Sequence, residues 1–206
     1  MPPLIFSRIS TGALGIGAQS SFGRILLRAG SGRAQVGSNR LIPSLWLARV
    51  KSNFEVDTVE SGRNGTGCMF TVVERKKRML FACRAESCTA ENFYNALKKL
   101  IKILPPETIK SLTGDRGKEF AWYQKIENEL RIPFYFDDPH SPWQQGSNEN
   151  TNGPLRENFP KRTNFSTVSL RDLYWKGVYR TNNQSGKVLG WKTAQECFAE
   201  ELRNSA

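Results

Sequence analysis

The chain has 206 residues, enough for one domain or one domain with an appendage. Hydrophobic residues make up 38% and aromatic ones 11%, which suffices for a buried core, and no apolar run approaches the roughly 18 to 20 residues that cross a bilayer. The formal net charge of +11 and a pI near 9.8 favour a polyanionic partner. That charge is unevenly placed. Before Glu55 there is no acid, but there are six arginines and Lys51; without those seven, the 30 basic residues barely exceed the 19 acids. The four cysteines form no CxxC pair and the single histidine offers no zinc pattern, so incidental thiols in a reducing compartment are expected.

Residues 1–53 are rich in Ser, Gly, Ala and Arg without sustained periodicity, and weak order is expected there. The same composition marks organelle transit peptides, which makes import the alternative to a bacterial cytoplasmic location. The main domain is expected over 54–206. "FEVDTVE" alternates apolar and polar residues as a half-buried strand does, and "CMFTVVER" and "RMLFACRAE" read as two more strands joined by a charged hairpin turn. Thr89 is placed to cap the amphipathic stretch "TAENFYNALKKLIKIL", which Pro105 and Pro106 terminate. "SLTGD" predicts a short strand, "KEFAWYQKIENEL" a second amphipathic helix and "IPFYF" a further strand, followed by helices. The economical assembly is α/β: a mixed sheet of three antiparallel strands and two more, flanked by helices.

Three carboxylates stand out. Asp57 sits mid-strand among apolar neighbours, and Asp115 sits at the C-terminal end of a strand, where open α/β sheets place ligand sites. Glu149 follows "SPWQ", in which Ser141 as N-cap, Pro142 and Gln144 fit a helix start. Taken singly, each has an ordinary reading: an edge-strand polar residue, a turn former, a helix-surface charge. Converging at one sheet edge, they could hold hard divalent cations, and two such ions clamp the attacking and leaving oxygens of a phosphodiester displacement.

From Phe54 to about Phe198 the sequence resembles the catalytic core of DDE transposases of the insertion-sequence-thirty type, within the ribonuclease-H-like, retroviral-integrase superfamily. The matching pieces are "FEVDTVESGRNGTG", "TVVERKKR", "LTGDRGKEF", "DPHSPWQQGSNENTNG", "ENFPKRTNFS" and "LGWKTAQECF", in the family's order, with 33 residues between Asp115 and Glu149. The resemblance implies a ribonuclease-H-like sheet and an acidic triad of Asp57, Asp115 and Glu149 that holds two Mg²⁺ or Mn²⁺ ions. It implies DNA strand cleavage and transfer in transposition, with transposon ends and target DNA as partners of a homo-oligomer. Lys118, His140, Trp143, Asn148, Asn152, Arg156 and Lys161 are the candidate DNA contacts; Asn148, Asn152 and Trp143 could equally position the metal-bearing helix. An ordinary solvated or packing role is the alternative for Lys118, His140 and Trp143.

Three features depart from the family pattern. Nothing in 1–53 resembles its helix-turn-helix region, and "TNNQSGKVLGWKT" lacks two arginines and a proline usual before the Leu-Gly. Gln145 replaces a basic residue and Pro154 an aliphatic one. A mid-helix proline costs about 3 kcal/mol or more, so a helix break at Gly153 or a kinked Glu149 segment is expected. A truncated remnant that keeps only nucleic-acid binding is therefore the alternative function.

Overall fold

The computed structural model describes residues 51–138 and 146–204, and for 146–149 the backbone alone. Five strands form one sheet: β1 (Ser52–Glu60), β2 (Cys68–Glu74), β3 (Leu80–Ala85), β4 (Ile109–Gly114) and β5 (Phe134–Phe136). Their spatial order is β3-β2-β1-β4-β5. The first three pair antiparallel, and β4 and β5 add in parallel beside β1. The expected mixed sheet of three plus two is therefore observed, with β1 beginning at Ser52, two residues before the expected boundary. β2 is buried along its whole length, as suits a strand covered on both faces.

Helix α1 (Ala90–Ile101) covers one face. Thr89 caps it as expected, its hydroxyl accepting from the Asn92 amide at 3.3 Å. Phe93 on α1 meets Phe70 of β2 edge-on at 5.4 Å and Phe120 at 4.8 Å. The opposite face carries Asp57 and its cross-strand partner Thr71, and is covered by α3 (Gly146–Asn158). Behind α3 stand α4 (Leu170–Asp172), a π-helical run (Leu173–Tyr179) and α5 (Arg180–Asn182), and α6 (Ala194–Asn204) ends the described chain. Leu155 of α3, Phe159 just after it, Leu173 and Val178 of the π-helical run, and Phe198 of α6 belong to the same core as the sheet.

Two expectations need correction. The stretch 118–130 is not one regular helix. It runs as a 3₁₀ turn (Lys118–Phe120), a helical turn α2 (Tyr123–Lys125) and a π-helical segment (Ile126–Leu130) that stops at Arg131, whose φ is +59°. Phe120 and Ile126 are both fully buried. They stand six positions apart, a spacing that a 3.6-residue helix does not bring to one face. Nor does α3 break at Gly153; it continues through Pro154 to Asn158. The bond Pro154 cannot make would go to the carbonyl of Asn150, an exposed residue, and both residues line one cavity. The expected cap at Ser141 and Pro142, and residues 1–50 of the expected N-terminal segment, lie outside the described residues.

The loop 61–67 after β1 is held by a distant segment. Gly62 N donates to Thr163 O, Ser166 N donates to Thr66 O, and the Phe165 amide donates to the Ser61 hydroxyl at 2.9 Å. A Cβ on Gly62 would stand 2.7 Å from both Arg162 Cα and Lys161 O, which are backbone atoms that cannot rotate away. Gly62→Ala is therefore expected to destabilise the domain by about 1–3 kcal/mol, read as a lower denaturation midpoint at unchanged m-value.

Candidate active site

The parallel pairing of β1 with β4 sets the site. Glu55 stands opposite Thr113, so two residues further along each strand Asp57 and Asp115 come level. Neighbouring strands lie about 4.8 Å apart. β4 ends at Gly114, which frees Asp115 to project from the strand end into solvent. Its Oδ1 accepts the Gly117 amide at 2.9 Å, closing a tight turn.

Asp57 is held on both sides. Oδ1 accepts from the Thr58 amide at 2.7 Å and Oδ2 from Asn152 Nδ2 at 2.6 Å. The Asn152 bond joins α3 to β1 across 95 positions of sequence. Burial is the main influence on the Asp57 carboxyl and pushes its pKa above the ordinary aspartate value; the two hydrogen bonds oppose this, and the negative charges of Asp115 and Glu119 add to the rise.

Glu119 is the residue that sequence reasoning passed over. It follows Asp115 by four positions, and its carboxylate turns back over Gly117. An added Cβ there would meet Glu119 Oε2 at 2.6 Å and Asp115 Oδ1 at 2.9 Å, so the bare Gly117 leaves the two carboxylates room to approach one point. The signal was present in "DRGKEF", but a charge in a stretch read as helical looks like solvated surface. Gly117→Ala would push the two carboxylates aside and leave the backbone sound, since φ at Gly117 is −61°. We expect it to lower any metal-dependent activity about tenfold or more while shifting the unfolding midpoint little; comparing the two measurements on one preparation checks this.

Three acidic side chains thus face one edge, and none of them has a cationic side chain in salt-bridge range among the described residues. Asn152 Oδ1, beside Asp57, is buried with no hydrogen-bond partner. Uncompensated carboxylates, an orphaned amide oxygen and a glycine cradle together suit a hard, oxygen-preferring cation. No group of three or more potential metal-ligating residues stands close enough together among the described residues to hold an ion by itself. The side chain of Glu149 lies outside that description; its backbone sits in α3 three positions before Asn152.

The other candidates scatter. Lys118 is exposed one residue before Glu119, and Lys161 is exposed just beyond α3. Arg156 is half-buried, with Nη2 donating to Glu60 O at 3.4 Å and Nη1 buried without a partner. Asn152 is hydrogen-bonded to Asp57. His140 and Trp143 lie outside the described residues, as does the side chain of Asn148.

The Integrase core domain family matches residues 49–142. Over those residues the chain is similar to that family. Among its relatives, the transposase InsI for insertion sequence element IS30A of Escherichia coli (strain K12) is 36% identical over 148 residues, which are 72% of this chain and 38% of that protein. The transposase for insertion sequence element IS4351 of Bacteroides fragilis is 32% identical over 167 residues, 78% of this chain and 49% of that protein. The chain therefore spans less than half the length of these two relatives. The catalytic core domain of BIV integrase superposes with a TM-score of 0.59 at 17% identity, covering 75% of this chain and 97% of that one. The HTLV-2 integrase catalytic core domain in complex with magnesium gives 0.54 at 15% identity, covering 71% and 95%. The chain has the ribonuclease-H-like fold that its sequence resemblance implied.

Proposed function

We propose that this chain cleaves DNA strands and joins them in transposition, using Asp57, Asp115 and Glu149 as ligands of two Mg²⁺ or Mn²⁺ ions. The observation that carries the reading is the level placement of Asp57 and Asp115 on adjacent parallel strands, with no salt-bridge partner among the described residues. Bound there, the ions would supply Lewis-acid activation of the attacking oxygen and charge stabilisation of the leaving oxygen. The protein's share is positioning. Asn152 fixes one carboxylate oxygen of Asp57, the Thr58 amide fixes the other, and each oxygen keeps a lone pair for a ligand. The Gly117 amide orients Asp115 in the same way. Glu149, one helical turn before Asn152, is the third ligand, and Glu119 adds negative charge that favours cation binding.

DNA, from the ends of the mobile element and from a target, is the proposed partner, and the working form is a homo-oligomer in the bacterial cytoplasm. Among the described residues no helix is long and apolar enough to cross a membrane. The names of the relatives support the choice of reaction, and the exposed Lys118 and Lys161 are phosphate contacts in this reading. The test is nicking and strand transfer on a plasmid that carries the element's ends, in Mg²⁺, in Mn²⁺ and in EDTA. Metal-dependent products are expected. Products that form equally in EDTA would remove the metal from the reading.

A further inference from the structure

Two of the four free cysteines meet at one end of the sheet. Cys68 opens β2, where its cross-strand partners are Glu60 of β1 and Ala85 of β3. It is fully buried and lies two positions before Phe70, so the two side chains share a face of the sheet. That face is the one α1 covers, since Phe70 meets Phe93. Cys88 reaches the same place from the other direction. The chain bends at Glu86 and Ser87 after β3, and Asn92 Nδ2 of α1 fixes the bend by donating to Ser87 O and Oγ at 3.0 and 2.9 Å. Cys88 then stands half-buried immediately before Thr89, the cap of α1. The Cys68 thiol donates a hydrogen bond to the Cys88 sulfur.

The other two thiols stand apart from this contact. Cys83 is buried in β3 opposite Phe70, a diagonal neighbour of Cys68 at roughly 7–8 Å, and Cys197 is buried in α6. Burial pushes the Cys88 thiol above its ordinary value; the bond from Cys68 and the Lys118 ammonium oppose this, and Glu60 and Glu119 add to it. Burial pushes Cys68 up further, and donating the bond to Cys88 adds to the rise. Cys88 is therefore the sulfur that ionises first, and its partial exposure admits a small oxidant from solvent.

We infer that Cys68 and Cys88 are a modification site, a thiol pair that hydrogen peroxide converts into a disulfide. The Cys88 thiolate attacks one peroxide oxygen, the O–O bond breaks, and a sulfenic acid and hydroxide result. The Cys68 sulfur then attacks the Cys88 sulfur; the S–S bond forms, the S–O bond breaks, and the hydroxyl leaves as water with the Cys68 proton. Two thiols give up two electrons in all, and one peroxide is reduced. The bridge ties the start of β2 to the approach to α1, within electrostatic reach of Lys118 and Glu119. It forms whether or not the chain cleaves DNA.

The experiment treats the reduced full chain with hydrogen peroxide, alkylates the thiols that remain and maps proteolytic peptides without reductant. Wild type is expected to fall from four free thiols to two. One linked peptide should join Cys68 to Cys88, in a product that runs as a single chain on a non-reducing gel. Dithiothreitol should restore all four thiols, as it does for a disulfide and not for a sulfinic acid. Cys88→Ser should form no bridge. Wild type carries the decision by itself, so the variant's folding does not affect it. Absence of the linked peptide in wild type, a bridge that uses Cys83 or Cys197, or a bridge between two chains overturns the site.

Discussion

Asp115→Asn is expected to remove metal-dependent strand cleavage while leaving the fold intact. The side chain is exposed and, among the described residues, its hydrogen bond is from the Gly117 amide, which an asparagine Oδ1 can still accept. What the substitution removes is the negative charge that draws a divalent ion to the end of β4. Losing an outer-shell partner of a metal typically costs 10- to 100-fold, and losing a ligand costs more, so a fall of at least about a hundredfold is expected. The assay is the plasmid nicking reaction, with the thermal midpoint measured on the same preparation. Full activity in Asp115→Asn would remove this residue from the chemistry.

Asp57→Asn is expected to act on stability and metal binding in opposite directions. Burial raises the Asp57 pKa above its unfolded value, with Asp115 and Glu119 adding to the rise. Between the unfolded and folded pKa values, the native state holds more protons than the unfolded one, so stability falls as pH rises through that window. Above that window the metal-free protein therefore carries an ionised, half-buried carboxylate as a burden. Asparagine removes the charge; its one oxygen can accept from the Thr58 amide, and its Nδ2 can donate to Asn152 Oδ1 once the Asn152 amide turns over. Above the window the metal-free variant should melt on the order of a few degrees higher than wild type, and the gap should close as pH falls through it. Added Mn²⁺ should raise the wild-type midpoint and leave the variant's unchanged. The raised pKa also means that acidification displaces metal from Asp57 at a higher pH than from an ordinary aspartate, because the proton competes for the same oxygen.

The parts of the fold with local signals were legible. Thr89 stands at a helix start with apolar residues at helical spacing behind it, and it caps α1. Alternation around Asp57 marks β1, and the Gly-Asp at the end of "SLTGD" marks the end of β4. The contacts that sharpen the site have no local signal. The Asn152 bond to Asp57 and the stitching of loop 61–67 to residues 163–166 join positions about a hundred apart, so neither segment's composition announces the other. Glu119 was missed because its stretch was given one helical period, whereas burying both Phe120 and Ile126 demands a tight turn followed by a wide one. The break expected at Gly153 does not occur, since α3 continues through Pro154 to Asn158.

The account stands most directly on Glu149 joining Asp57 and Asp115 as a metal ligand. Mn²⁺ binding to the metal-free protein, followed by titration calorimetry for wild type and Glu149→Ala, measures this. Two ions are expected on wild type, with affinity lowered at least about tenfold and one site lost in Glu149→Ala. Equal stoichiometry and affinity in the two proteins would contradict the account.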